Sequence, residues 1–209
     1  MGTMTRDEAR AEWLKATTFR ELCELMARFV EGALPCSPGG YDAMDEESAP
    51  LVPALAALNR SGFLTIDSQP GWLEGDCGQR AFVEGFALPE TAQGIARKAL
   101  YTPLYVGVLW PHMEASSADV WTEPGSRTPL AVADGHPYGW LIEPTNVRSA
   151  IAPFEEAGLT GEACADLERA CWVAVVDLEW GRSDLLWRVL LEEPRSGYSI
   201  HPHPELEPR

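Results

Sequence analysis

Two segments of different periodicity meet at Gly62, and their junction constrains the fold more than any other part of the sequence. Residues 50–60 carry Ala and Leu at helical spacing and stop just before this glycine. Residues 63–67 follow at once with the alternation and β-branched content of a strand, which a Gln-Pro-Gly turn ends. The sequence therefore predicts a helix followed directly by a strand, with the side chains of Thr65 and Asp67 on one face of that strand.

Other segments continue this alternation of helices and strands. Thr18 with Glu21 three residues later forms a capping box, which predicts the start of a helix that Gly32 closes. Ser183 is the predicted cap of the last helix. Helices are predicted over residues 5–16, 18–31, 50–60, 89–100, 145–157, 160–170 and 183–192. Strands are predicted over residues 63–67, 79–88, 104–110, 129–133 and 171–180.

Length and composition indicate one folded domain. The chain has 209 residues, of which 45% are hydrophobic, and this is enough to bury a sizeable core. No repeat or low-complexity linker divides it, so we expect a single domain over residues 1–193 and an extended Pro- and His-rich tail over 194–209. No segment resembles a signal peptide or approaches the roughly 20 apolar residues of a membrane span, which predicts a cytoplasmic protein without membrane contact.

The charge balance bears on the class of partner. The chain has 32 acidic and 16 basic residues and a formal net charge of −16. Because nucleic-acid affinity depends largely on Lys and Arg, we expect no nucleic-acid partner. An acidic surface suited to a basic protein partner stays open as an alternative.

Cysteine usage and a search for known motifs exclude several kinds of chemistry. Five cysteines are an odd number, with no CxxC pair and no His at zinc-finger spacing, so neither disulfides nor a metal site are expected and all five are assigned a structural role. Cys164 and Cys171, seven residues apart, are expected on one helical face. The dinucleotide fingerprint, the phosphate loop, the hydrolase elbow and the HExxH motif are all missing, so no cofactor is predicted.

Short polar side chains gather around the first predicted strand. Thr65, Asp67 and Ser68 lie on it or just after it, and Glu47 and Ser48 precede the helix that leads into it. Hydroxyls and a carboxylate suit a pocket for a ribose diol or an amino-acid head group, because buried polar groups must find partners. The alternative is structural: Ser48 caps the following helix and Ser68 satisfies turn backbone.

The segment that contains this cluster resembles a known family. Residues 58–70, LNRSGFLTIDSQP, look like the VNRQGILTINSQP pattern of the C-terminal regulatory domain of eukaryotic methylenetetrahydrofolate reductase, which binds S-adenosylmethionine and S-adenosylhomocysteine. The match extends back to residues 47–48, Glu-Ser here and Glu-Thr in the family. Residues 79–86, QRAFVEGF, are similar to its QKAYLEFF, residues 143–145, EPT, resemble its QPT, and residues 173–189 resemble its closing strand and helix. The chain also looks like small acidic actinobacterial proteins of unknown function.

The resemblance implies an α+β fold with a mixed β-sheet core flanked by helices, and a ligand site. The family's ligand contacts fall on Glu47, Ser48, Thr65, Ser68 and Thr145. The hydroxyl residues would hydrogen-bond the ligand, and the glutamate would accept a charge-assisted hydrogen bond from it. An acidic pocket would favour the sulfonium of S-adenosylmethionine over S-adenosylhomocysteine. Aromatic faces such as those of Trp72 or Trp110 could stack on the ligand.

Two departures from the family pattern shape the functional hypotheses. Asp67 stands where the family has Asn, which adds a charge, and the chain has no room for the flavin-binding barrel of about 250 residues that performs the reduction. We therefore expect a stand-alone sensor or regulatory module that binds one of the two adenosyl ligands, without reductase activity. One alternative is a small enzyme that acts on an adenosyl or nucleoside compound with Glu47 or Asp67 as general base. The other is an acidic protein-interaction module.

Overall fold

The computed structural model describes residues 4–38, 40–113, 128–141 and 146–192. These residues form seven α-helices and two four-stranded β-sheets, which confirms the α+β class. Every strand pair in the described part is antiparallel, so two antiparallel sheets stand where one mixed sheet was expected. The predicted tail lies outside the described residues.

The elements follow one another in an order close to the predicted one. The helices are α1 (Arg6–Trp13), α2 (Phe19–Val30), a 3₁₀ helix (Glu46–Leu51), α3 (Val52–Arg60), α4 (Pro89–Ala99), α5 (Val147–Glu156), α6 (Gly161–Glu168) and α7 (Leu185–Leu191). The strands are β1 (Phe63–Gln69), β2 (Trp72–Glu74), β3 (Cys77–Gln79), β4 (Phe82–Ala87), β5 (Leu104–Leu109), β6 (Pro129–Ala133), β7 (His136–Trp140) and β8 (Cys171–Asp177).

The first sheet, in the order β1-β4-β8-β5, carries the main core. All seven residues of β8, an inner strand, are buried, as expected for a nearly continuous apolar run. Phe86 of β4 packs edge-on against Trp172 of β8 and Phe154 of α5, with ring centroids 5.0 and 5.8 Å away. Strand β1 is at the edge of this sheet and contacts α2 and α3. This edge therefore carries the polar cluster that the sequence analysis singled out.

The second sheet, in the order β2-β3-β6-β7, is smaller, and its contacts with the first sheet include an apolar cluster and the side chain of Gln69. Phe82 and Val176 of the first sheet are buried together with Leu130 of the second. Gln69, the last residue of β1, donates from Nε2 to the carbonyl oxygens of Arg80 at 2.8 Å and Leu130 at 3.1 Å. These contacts hold the outer end of β1 against the second sheet.

The predicted helix starts are confirmed for the two N-terminal helices. The Thr18 hydroxyl accepts a hydrogen bond from the Glu21 N–H, and the Glu21 carboxylate accepts one from the Thr18 N–H, so the predicted capping box is present. The predicted cap at Ser183 is wrong, because Asp184 occupies the N-cap of α7, without a side-chain hydrogen bond to the helix. None of the described helices is long and apolar enough to cross a membrane.

Two further predictions are corrected by the structure. The predicted strand over 79–88 is divided between β3 and β4, because the chain passes there from the second sheet to the first. Cys164 and Cys171 do not share a helical face, since α6 ends before Cys171 and Cys171 begins β8. All five cysteines are free and four are buried, and burial raises the pKa of the Cys23 thiol to about 12. Such a thiol stays protonated and packs as an apolar group.

Candidate functional site

A β-bulge interrupts β1 in the middle of the polar cluster. Thr65 pairs with Gly85 of β4, but Asp67 pairs with the next residue, Glu84, so Ile66 is one residue more than the partner strand supplies. Residues two apart share a face only in a regular strand. The prediction that Thr65 and Asp67 share a face is therefore wrong. The bulge depends on the pairing with β4, which alternation within β1 does not encode.

A cavity of about 50 Å³ opens beside β1, and we call it the β1 cavity. Helix α2, the segment 41–45, the 3₁₀ helix, α3 and β1 all contribute to its walls. Its polar lining consists of Tyr41, Asp45, Ser48, Thr65, Asp67 and Ser68. Its larger apolar side chains are Met26, Phe29, Val30, Met44, Leu55 and Ile66.

The structure brings most of the predicted site residues to this cavity. Ser48, Thr65 and Ser68 line it, together with Asp67 of the alternative enzymatic hypothesis. Glu47 is not part of the lining, but its charge acts on the Asp67 carboxyl group. Thr145 lies outside the described residues.

Thr65 is held in place by Asn59, the last but one residue of α3. The Thr65 N–H donates to Asn59 Oδ1 at 3.0 Å, and Asn59 Nδ2 donates to Thr65 Oγ1 at 2.7 Å and to the Leu55 carbonyl at 2.8 Å. Both residues are buried. The Thr65 hydroxyl thus already accepts one hydrogen bond, and its own proton stays available to donate.

Sequence reasoning missed Asn59 as part of the site. The residue lies inside the LNRSGFLTIDSQP run, and it is a polar residue in the last turn of an Ala- and Leu-rich helix. That position was the available signal, because a polar side chain on the buried face of a helix needs a hydrogen-bond partner nearby. Its partner is Thr65, which lies six residues later in the strand that follows.

Two serine hydroxyls in the β1 cavity make no hydrogen bond to the described residues. Ser48 is only 3% exposed; its backbone N–H donates to the Asp45 carbonyl, and its hydroxyl has no partner among the described residues. Ser68, which pairs with Val83 of β4, donates its N–H to Asp67 Oδ1 at 2.7 Å, and its hydroxyl likewise has no partner among the described residues. The prediction that Ser48 caps the next helix is wrong, because Leu51 is the N-cap of α3 and no side-chain hydrogen bond caps that helix. A hydroxyl that lines a cavity and has no partner among the described residues has hydrogen-bonding capacity for a ligand.

Carboxylates give the β1 cavity a negative character. Burial raises the pKa of Asp67, and the neighbouring charges of Asp45 and Glu47 raise it further. Burial raises the pKa of Tyr41 as well, and the charge of Asp67 adds to that effect. No Lys or Arg of the described residues lines the cavity. The site is therefore suited to a cation that also donates hydrogen bonds.

The exposed aromatic residue at this site is not one of the two tryptophans considered from the sequence. Neither Trp72 nor Trp110 lines the cavity, and Trp72 lies in β2 of the second sheet. Tyr41 lines the cavity with half of its surface exposed. The described residues contain no cluster of three or more His, Cys, Asp or Glu side chains that could hold a metal ion.

Comparison with known proteins gives a family. Residues 8–195 match the family model described as a domain of unknown function (DUF6919), which spans the described helices and strands from the middle of α1 to α7. No curated protein matches the chain.

Proposed function

We propose that this chain, which belongs to the DUF6919 family, acts as a regulatory module that binds S-adenosylmethionine or S-adenosylhomocysteine in the β1 cavity. The observation that carries the proposal is the pair of serine hydroxyls, Ser48 and Ser68, that face this cavity without hydrogen bonds to the described residues. These are two of the positions on which the ligand contacts of the resembling family fall.

The charge of the cavity supports S-adenosylmethionine as the preferred ligand. Asp67 and Asp45 line the site, and no described basic side chain there neutralises them. A sulfonium is attracted by such carboxylates, and the exposed face of Tyr41 adds a cation–π contact. S-adenosylhomocysteine lacks the positive charge on sulfur, so the carboxylates and the ring of Tyr41 are expected to stabilise its complex less.

The size of the cavity limits how the ligand is held. Pockets that bury a drug-sized molecule measure roughly 300–1,000 Å³, whereas the β1 cavity measures about 50 Å³. We therefore place only one charged or polar end of the ligand inside, with the remainder across the mouth beside Tyr41.

Calorimetric titration with each adenosyl ligand tests this proposal. Ser68→Ala removes one unbonded hydroxyl and is expected to weaken binding about 3- to 10-fold. Asp67→Asn removes the charge and is expected to weaken the binding of S-adenosylmethionine more than the binding of S-adenosylhomocysteine. Thr65→Ala is avoided as a test, because it would also break the hydrogen bond from Asn59.

The matched controls are Ser183→Ala and Asp76→Asn, which change exposed residues outside the β1 cavity. Both controls are expected to bind like the wild-type protein. Failure of the wild-type protein to bind either ligand at millimolar concentration would refute the proposal. Equal weakening by the site variants and their controls would refute the location of the site.

A second candidate function is enzymatic and is favoured by the raised pKa of Asp67. A carboxylate whose pKa moves towards neutrality is a better general base than an ordinary surface aspartate. The test is incubation of the protein with S-adenosylmethionine, S-adenosylhomocysteine or adenosine for hours, followed by chromatography. A product that Asp67→Asn abolishes and Asp76→Asn retains would support it, and unchanged ligand would reject it.

A further inference from the structure

A second and larger cavity lies at the N-terminal helix, and we call it the α1 cavity. It measures about 290 Å³, at the lower end of the range for small-molecule sites. Residues of α1, residues 36–38 and 40, and the turn between α5 and α6 form its walls. It shares no lining residue with the β1 cavity, and what it binds does not depend on the function proposed above.

The floor of the α1 cavity is apolar and well ordered by packing. Trp13 is 2% exposed, and its Nε1–H donates to the Cys36 carbonyl at 2.9 Å, which ties α1 to the opposite wall. Leu159 is also buried, while Leu14 lies exposed at the border of the cavity. Such a floor suits an aliphatic or aromatic side chain.

The rim of the α1 cavity carries an arginine whose side chain has no partner among the described residues. Arg6 is paired with Asp42, but Arg10, one turn further along α1, makes no ion pair or side-chain hydrogen bond to the described residues. Arg20 is the other described Lys or Arg side chain in this condition, and it lies outside both cavities. An unpaired guanidinium beside an apolar pocket in a chain of net charge −16 is suited to a carboxylate.

Two further polar groups border the same space. Ser37 is 7% exposed, and its hydroxyl accepts a hydrogen bond from the Tyr41 N–H at 3.3 Å, so its own proton is free to be donated. Asp7 lies three residues before Arg10 on α1 and also lines the cavity, yet no ion pair joins the two side chains. The rim thus presents a separated positive and negative charge above an apolar floor.

We propose that the α1 cavity binds a free α-amino acid with an apolar side chain. The ligand carboxylate contacts Arg10 and Ser37, its ammonium group contacts Asp7, and its side chain packs on Trp13 and Leu159. A zwitterion pairs with both charges on the rim. A ligand that has only a carboxylate would leave Asp7 without a partner, and one that has only an ammonium group would leave Arg10 without a partner.

Three probes of the same shape test this proposal by calorimetry on the full chain. L-Phenylalanine has both charges, 3-phenylpropionate has only the carboxylate and phenethylamine has only the ammonium group. We expect L-phenylalanine to bind and each analogue to bind at least about tenfold more weakly. Absence of L-phenylalanine binding at millimolar concentration overturns the proposal, and equal binding of either analogue overturns the assignment to an amino acid.

Variants then locate the ligand. Arg10→Gln is expected to weaken the binding of L-phenylalanine about 10- to 100-fold. Arg20 is the matched arginine outside the cavity, and Arg20→Gln is expected to leave this binding unchanged. Ala157→Leu keeps both charges and fills part of the cavity, so it is expected to reduce binding as well. Circular dichroism confirms that each variant is folded. Wild-type affinity in folded Arg10→Gln or in folded Ala157→Leu contradicts the site.

Discussion

Asn59 is the residue on which the geometry of the β1 cavity most depends. Its amide bridges α3 and β1 by accepting from the Thr65 N–H and donating to the Thr65 hydroxyl. We expect Asn59→Ala to lower the free energy of unfolding by about 1–3 kcal/mol, because the buried Thr65 N–H loses its partner. Urea unfolding followed by tryptophan fluorescence measures the change.

Thr65→Ser serves as the control for that prediction. It keeps the hydroxyl that Asn59 Nδ2 donates to and removes only one methyl group. Thr65→Ser should therefore lower the free energy of unfolding less than Asn59→Ala does. A larger loss for Thr65→Ser than for Asn59→Ala would show that packing of the methyl group, and not the amide bridge, stabilises this corner.

Asp67 gives the protein a stability that depends on pH in a defined direction. Burial, with Asp45 and Glu47, raises its pKa in the folded protein above the unfolded value of about 3.9. The folded state then binds this proton more tightly, so the contribution of Asp67 to stability falls as pH rises through the interval between the two pKa values. We expect Asp67→Asn to be more stable than wild type at pH 7, since Asn can still accept from the Ser68 N–H.

The same difference should disappear at low pH. Below the unfolded pKa of about 3.9 the wild-type carboxyl group is protonated in both states and resembles the amide of the variant. Urea unfolding at intervals from pH 3.5 to pH 7 measures this, with Asp76→Asn as the exposed control. A stability difference that stays constant over this range would contradict the raised pKa.

At the scale of single elements, the bulge in β1 requires a glycine on its partner strand. A Cβ atom on Gly85 would lie 2.0 Å from the Leu64 carbonyl oxygen, which belongs to the backbone of β1 and has little freedom to move. We expect Gly85→Ala to destabilise the protein by about 1–3 kcal/mol through overpacking. Because Gly85 pairs with Thr65, the substitution should also disturb the β1 cavity.

Gly94→Ala is the matched control for that substitution. Gly94 lies within α4, and nothing approaches the position of its added Cβ within 4 Å. Alanine there is expected to raise the free energy of unfolding by about 0.5–1 kcal/mol, since glycine is a poor helix former. Thermal unfolding of the two variants should therefore shift in opposite directions, and a destabilised Gly94→Ala or a neutral Gly85→Ala would contradict this account.

The elements differ in how far the sequence alone predicts them. The start of α2 was predicted correctly because Thr18 and Glu21 satisfy each other's backbone within one turn. Strand β6 was also predicted with its observed bounds, 129–133. The bulge at Ile66 was not predicted, because it arises from pairing with residues about twenty positions away. Local sequence patterns predict hydrogen bonds between neighbouring residues, whereas the register of a strand also depends on the partner strand with which it pairs.

The same contrast holds for the candidate site. Ser48, Thr65 and Ser68 were predicted from hydroxyl chemistry and resemblance, and they do line one cavity. Tyr41 and Asn59 were missed, since each takes part only after α2, α3 and β1 have packed together. A loop tyrosine and a helical asparagine have many ordinary roles, and only the tertiary contacts single them out.

At the scale of the whole molecule, the two sheets are joined around a buried ion pair that no sequence pattern indicated. Asp177 ends β8 fully buried, and Arg182 reaches it with Nε at 2.7 Å from Oδ2 and Nη2 at 2.6 Å from Oδ1. The Arg182 carbonyl oxygen lies so close to Gly71 that a Cβ there would come within 2.2 Å of it. This segment thus connects the end of β8 to the turn between β1 and β2.

Removal of that arginine should be far more damaging than removal of an exposed one. Arg182→Ala leaves a buried carboxylate without its cation, and we expect a loss of about 3–5 kcal/mol in the free energy of unfolding. Arg188→Ala is the control, because Arg188 and Asp184 form an exposed pair whose loss costs about 0.5 kcal/mol or less. Chemical unfolding of both variants at pH 7 measures the contrast. If Arg182→Ala were as mild as Arg188→Ala, the ion pair would not be what stabilises the end of β8, and the apolar cluster of Phe82, Leu130 and Val176 would contribute more to that junction than the ion pair.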